Sequence, residues 1–196
     1  MLDTNGRKYA QPFLDAIADV CVKAGLSANC VTTAAFAIGV LSAFAVCLHW
    51  YWLGVFLLWL SGVMDAVDGT IARKTGSSGP LGTLLDVVFD RIVEILILLA
   101  LIHVEPELAA YVAVVLGSII ISMTVFLTVG AAAQNNSNKS FYYQAGLAER
   151  TEGFIMLSLA VLLNGYRAAV LLVFAAMILF TAGQRFVEAV RIFKKY

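Results

Sequence analysis

The sequence predicts an all-α membrane protein with six transmembrane helices preceded by an N-terminal amphipathic surface helix. Three observations support this. Hydrophobic residues make up 61% of the 196 residues and charged residues only 13%, against about 45–50% and about 25% in soluble globular domains. Six predominantly apolar stretches can be placed along the chain, each near the roughly 20 residues that an α-helix needs to cross a hydrocarbon core about 30 Å thick. Short polar or breaker-rich segments separate them, as expected where a chain turns back on itself.

The elements follow in order. From Pro12 the apolar residues Phe13, Leu14, Ile17, Val20, Cys21 and Ala24 recur at helical spacing and leave Asp15, Asp19 and Lys23 on other faces. Residues 1–25 therefore read as a juxtamembrane amphipathic segment, lying on the membrane surface or docked on the cytoplasmic side of the domain. Charges from Asp3 to Lys23 interrupt any apolar core of the kind a secretory leader needs. Residues 26–196 read as one membrane domain without internal repeats, with spans expected at 31–49, 52–73, 81–102, 108–131, 147–163 and 166–186. The separators are the turn at 49–51, the glycine- and proline-bearing 76–80, Glu105-Pro106-Glu107, the polar run 134–140 and Asn164-Gly165. The fifth span opens with Glu149, Arg150 and Glu152, so its first turn belongs at the interface or in a cavity.

Lys and Arg mark the cytoplasmic side of membrane proteins. With six spans, every Lys and Arg except Arg167 falls on one side. Both termini and the aspartate-bearing ends of the second and third spans are accordingly expected to be cytoplasmic. The formal net charge of zero hides this asymmetry. Nucleic acid is excluded as a partner, because the cations are spread along one membrane face with no soluble domain behind them. Cys21, Cys30 and Cys47 are odd in number and form no C-x-x-C pair, so they read as small packing residues. His49 and His103 fall near the ends facing away from the aspartates and read as interfacial.

The chemistry lies in Asp65, Asp68, Asp86 and Asp90. An ionised Asp at the centre of a membrane helix costs about 2.5–3.5 kcal/mol, so four close together require a divalent metal or a water-filled cavity. Asp65 and Asp68 are spaced i, i+3, with Gly69 completing that face. Asp86 and Asp90 are spaced i, i+4 on the next span. The link from Lys74 to Leu81 contains Gly76, Gly79 and Pro80 and turns the two faces toward each other. Hard oxygen ligands of this kind suit Mg²⁺, Mn²⁺ or Ca²⁺. Gly69 and Gly82 would let a bulky anion approach the backbone, and Arg73 offers a planar donor fork suited to phosphate. Taken singly, either glycine is as well explained by close helix packing.

As a pattern, Asp65-x-x-Asp68-Gly69-x-x-Ala72-Arg73, eight residues, then Gly82-x-x-x-Asp86-x-x-x-Asp90 resembles the signature of the CDP-alcohol phosphotransferase family at every specified position. Six membrane helices behind a surface helix, in about 200 residues, also resemble that family's architecture. The segment Leu26 to Thr32 is similar to one the family carries at its first span, with Ala28 where proline is usual.

The resemblance implies an enzyme of phospholipid synthesis. An acceptor hydroxyl attacks the lipid-side phosphorus of a CDP-linked lipid and CMP is released. Asp65, Asp68, Asp86 and Asp90 would hold two divalent ions, Mg²⁺ or Mn²⁺, and Asp90 would also take the acceptor's proton as catalytic base. Gly69, Arg73, Gly82, Asn29 and Thr32 would line the CDP site. The partners implied are the CDP-lipid, a small alcohol, membrane lipids and a second copy of the chain in a homodimer. Relatives that use phosphorylated acceptors carry a cation-bearing Ser-Tyr-x-Lys/Arg-Ala-Arg stretch on the fourth span. Here Ser122-Met123-Thr124-Val125-Phe126-Leu127 has no cation, which favours an uncharged or zwitterionic acceptor such as inositol or serine. Against this, Arg150 and Arg185 sit where those relatives also keep arginines, with Lys139 nearby, so glycerol 3-phosphate or inositol phosphate is the alternative. A local Glu149–Arg150 ion pair and an interfacial, snorkelling Arg185 are the competing readings of those cations. A transporter or proton relay would use the aspartates without needing Gly69, Arg73 and Gly82, and would favour a duplicated half that this chain lacks.

Overall fold

The computed structural model describes residues 2–136 and 149–193. Among them every regular element is helical: α1 (Leu2–Lys23), α2 (Ala28–Cys47), α3 (Tyr51–Thr75), α4 (Pro80–Val104), α5 (Ala109–Asn136), α6 (Arg150–Leu162) and α7 (Arg167–Phe193). Single 3₁₀ turns, Pro106–Leu108 and Asn164–Tyr166, precede α5 and α7. The chain forms two compact units, Asn5–Glu107 and Leu108–Tyr196, the latter grouped with Met1–Thr4.

Among the described residues, four segments are long and apolar enough to cross a membrane: Ala28–Cys47, Tyr51–Thr75, Pro106–Ala131 and Asn164–Phe193. The six expected from the sequence are thus matched at four. The 25 residues of α4 suffice in length, but Asp86, Asp90, Arg91 and Glu94 interrupt its apolar surface. Helix α6 has 13 residues, which at about 1.5 Å rise each span about 20 Å. The start expected for that span, residue 147, lies outside the described residues.

In the Asn5–Glu107 unit, α1 extends to the N-terminal side of Pro12, further than its apolar periodicity shows. Leu14 and Ala18 are buried in a cluster with Val31, Val67 and Ile71. Lys74 at the end of α3 fastens this docking, with Nζ donating to Asp19 Oδ1 at 2.6 Å and to the Asp15 carbonyl at 3.1 Å. Phe13 and Val20 on α1 remain exposed.

Helix α2 starts at Ser27, whose hydroxyl accepts from the Cys30 amide at 3.3 Å. It packs closely against both α3 and α4, because small residues line the contacts. Ser42 and Ser61 hydroxyls donate across to the carbonyls of Gly54 and Ala35, each at 2.7 Å. A Cβ at Gly54 would lie 2.7 Å from Val46 Cγ2, and one at Gly39 would collide with both Val93 methyls. Phe36 of α2 stacks on Phe89 of α4 with ring centroids 4.2 Å apart, fixing the rotation of α4 one residue before Asp90. Overpacked cores typically lose about 1–3 kcal/mol. Gly39→Val should therefore lower the thermal unfolding midpoint in detergent by several degrees. Gly117→Val, where a Cβ meets nothing within 4 Å, should not, and equal effects would refute this packing role.

Gly76 ends α3 in the left-handed region at φ 65, and the Ser77 amide closes the turn on the Ala72 carbonyl at 3.0 Å. Pro80 opens α4 at its first position, where its missing N–H costs nothing. The helices are thus joined by only Gly76–Gly79, so both extend into the link expected at 74–81.

In the second unit α7 packs against α5 and α6. Arg167 is buried, and its guanidinium caps the C-terminus of α6. It donates to the carbonyls of Ala160 and Val161, each at 3.2 Å, and to Asn164 Oδ1 at 2.6 Å.

Candidate metal and nucleotide site

The site is built by α3 and α4, both held by α2. Asp65 and Asp68 are buried at 8% and 7% exposure, and Asp86 and Asp90 are half-buried. Carboxylate oxygens of Asp65, Asp86 and Asp90 lie within 4.8 Å of one another. Asp68 sits one turn from Asp65 on α3 and outside that group. Three convergent carboxylates make a hard, all-oxygen donor set whose mutual repulsion a cation relieves, which fits a divalent ion such as Mg²⁺ or Mn²⁺.

The glycines of the segment differ from those of the helix contacts. A Cβ at Gly69 would meet only the end of a flexible side chain, Arg73 Nη1 at 3.4 Å, and one at Gly82 only Asn29 Oδ1 at 3.8 Å. No neighbouring helix forces glycine there, in contrast to Gly39 and Gly54. The open faces of Gly69 and Gly82 adjoin the aspartates in sequence and have Arg73 and Asn29 beside them. Arg73 Nη2 donates to Thr70 Oγ1 at 2.9 Å. Thr32 is buried and donates its hydroxyl to the Ala28 carbonyl at 3.0 Å, while Asn29 is exposed on the first turn of α2. Gly69→Val should leave the fold intact but raise KM for a CDP-linked lipid at least about tenfold, since a lost or blocked phosphate contact of about 1.4 kcal/mol has that effect. Unfolding of that variant would return Gly69 to a packing role.

Of the residues tied to the acceptor, Lys139 lies outside the described residues. Arg150 and Arg185 belong to the second unit. Arg150 Cζ lies 5.6 Å from the Phe154 ring centroid, and Arg185 Cζ lies 5.2 Å from that of Phe126. Arg185 of α7 therefore lies beside the cation-free Ser122 to Leu127 stretch of α5. Sequence reading did not anticipate the tie of Asp15 and Asp19 to Lys74, since residues that far apart leave no periodic signal. It also missed the ion pair of Arg91 with Glu94, whose i, i+3 spacing could have shown it.

Comparison with known proteins shows the family and the fold. The sequence model of the CDP-alcohol phosphatidyltransferase family matches residues 25–190. The inner membrane protein YnjF of Escherichia coli is 30% identical over 90% of this chain and 89% of its own. The archaetidylinositol phosphate synthase of Pyrococcus horikoshii is 28% identical over 96% of both chains. A phosphatidylinositol phosphate synthase of Corynebacterium glutamicum is 33% identical over 48% of this chain and 43% of its own. The fold is shared with the phosphatidylinositol phosphate synthase of Mycobacterium tuberculosis. Its structure with CDP-DAG bound superposes with a TM-score of 0.71 at 19% identity over 90% of this chain and 92% of that one. Its complex with manganese and citrate gives 0.74 at 18% identity over 90% and 88%. With its membrane helices and its signature intact, the chain belongs to the CDP-alcohol phosphatidyltransferase family and is an integral membrane phosphatidyl transferase of phospholipid biosynthesis.

Proposed function

We propose that this enzyme transfers the phosphatidyl-type group of a CDP-linked lipid to a phosphorylated small alcohol, with inositol phosphate the leading acceptor, and releases CMP. The convergence of Asp65, Asp86 and Asp90 within 4.8 Å carries the reading. Asp68 and these three would together hold two divalent ions, which would neutralise charge building on the leaving CMP. Arg73 offers its fork to the diphosphate, and Gly69 and Gly82 leave room for it, with Asn29 and Thr32 on the nucleotide side. Asp90 accepts the acceptor's hydroxyl proton as the new oxygen–phosphorus bond forms and the bond to the CMP oxygen breaks.

The acceptor is proposed from two supports. Two relatives, from Pyrococcus horikoshii and Corynebacterium glutamicum, are named as synthases of phosphorylated inositol lipids. Arg185 lies beside α5 where the sequence alone shows no cation, and Arg150 adds a second guanidinium; Lys139 is proposed to join them. Uncharged inositol or serine, favoured by the cation-free Ser122 to Leu127 stretch, is the competing reading. A panel of alcohols assayed with purified enzyme and CDP-lipid decides between them. CMP release with inositol phosphate and not with inositol or serine is expected, and the reverse would restore the uncharged acceptor.

We place all six apolar stretches across the bilayer, with α4 and α6 shielded by their neighbours. Both termini and the aspartates then face the cytoplasm. We also propose a homodimer of membrane domains spanning 26–196, with α1 resting at the membrane surface through Phe13 and Val20.

A further inference from the structure

The metal-site helix carries a fifth carboxylate that the signature does not use. Glu94 is only 4% exposed. It lies on α4 four residues beyond Asp90, about 6 Å further along the helix, on the face that already presents Asp86 and Asp90. Positions 86, 90 and 94 are thus three rungs of one column. A carboxylate on the third rung is chemically the same as the ligands above it and would attract the same cations. Arg91 covers it. Its Nη2 donates to Glu94 Oε1 at 2.6 Å, and its Nη1 lies 2.5 Å from Oε2 as a charge contact, so one guanidinium stands against both oxygens while a single hydrogen bond joins them. Arg91 follows Asp90 directly, and successive helical side chains diverge by about 100°, so the fork closes on Glu94 from beside the column.

We propose that Arg91 is a positioning residue that withholds Glu94 from the metal site and so sets the depth at which the carboxylate column ends. The inference rests on reading the aspartates as metal ligands. Divalent ions settle where carboxylates crowd. An uncovered Glu94 would offer them a place one turn deeper, away from the diphosphate they must bridge. Arg91 thereby keeps the cations level with Asp65, Asp86 and Asp90, and does so without touching substrate.

The test pairs Mn²⁺ binding to the purified full chain, read by electron paramagnetic resonance titration, with CMP release. Arg91→Met should bind Mn²⁺ with an added site or at least about fivefold tighter and should turn over at least about tenfold more slowly. Arg91→Met combined with Glu94→Gln should return both the isotherm and turnover to within about threefold of wild type, which is the non-additivity expected of two coupled groups. An ion pair that only stabilises the helix would also be rescued by deleting both charges, but would leave the Mn²⁺ isotherm of the folded single variant unchanged. Should Arg91→Met not yield folded protein, Arg91→Gln, which keeps one donor and removes the charge, is measured in its place. An unchanged isotherm in the Arg91 variant, or a double variant no better than the single, overturns the proposal. Failure of the wild-type chain to bind Mn²⁺ would instead remove the metal reading beneath it.

Discussion

Asp90→Asn is expected to cut CMP release from a CDP-linked lipid by about a thousandfold or more, because general-base catalysis typically contributes about 10²–10⁴ and this carboxylate is assigned to the metal as well. In barrier terms a thousandfold is about 4 kcal/mol. The substitution preserves shape, and the contacts that orient α4 around it, Phe89 on Phe36 and Val93 against Gly39, are untouched. The thermal unfolding midpoint should consequently stay within a few degrees of wild type. Removing one of several crowded negative charges could even raise it. Turnover retained in a folded Asp90→Asn protein would take Asp90 out of the role of base.

Metal removal should have a comparable effect by a separate route. Treatment with EDTA should reduce CMP release below about 1% of its starting value, and Mg²⁺ or Mn²⁺ should restore it, since Lewis-acid stabilisation of a leaving phosphate is worth several kcal/mol. Asp65→Asn should weaken the restoring ion's apparent affinity, because Asp65 is the buried member of the convergent group and has least access to substitute water ligands. Activity indifferent to chelation would leave the carboxylates without the ions that justify burying them.

The convergence of carboxylates at the candidate site was more legible in the sequence than the fold around it, for a physical reason. The i, i+3 and i, i+4 spacings of Asp65, Asp68, Asp86 and Asp90 are local, and a helix converts local spacing into a shared face without help from the rest of the chain. A short link then suffices to bring α3 and α4 together, and Gly76 and Pro80 announced it. The family followed from the same residues. The span count was less secure because charge that serves chemistry also breaks apolar continuity, as in α4, and because α6 is shorter than its apolar stretch suggested. The identity of the packing glycines could not be read from sequence at all. Gly39 and Gly54 differ from Gly69 and Gly82 only in what a Cβ would meet. The extent of α1 beyond Pro12 was hidden because proline ordinarily marks a helix start. The setting of the Ser122 to Leu127 stretch was not legible from one helix alone, since α5 has no cation there and Arg185 of α7 lies beside its Phe126.

The central claim is that the four aspartates bind two divalent ions for phosphatidyl transfer. Anomalous scattering from Mn²⁺ in crystals of the full chain tests it most directly. Two peaks about 3.5–4 Å apart, the spacing of two-metal sites, bounded by Asp65, Asp68, Asp86 and Asp90, are the predicted result. A Mn²⁺-replete crystal of active enzyme with no peak among these four residues would contradict it.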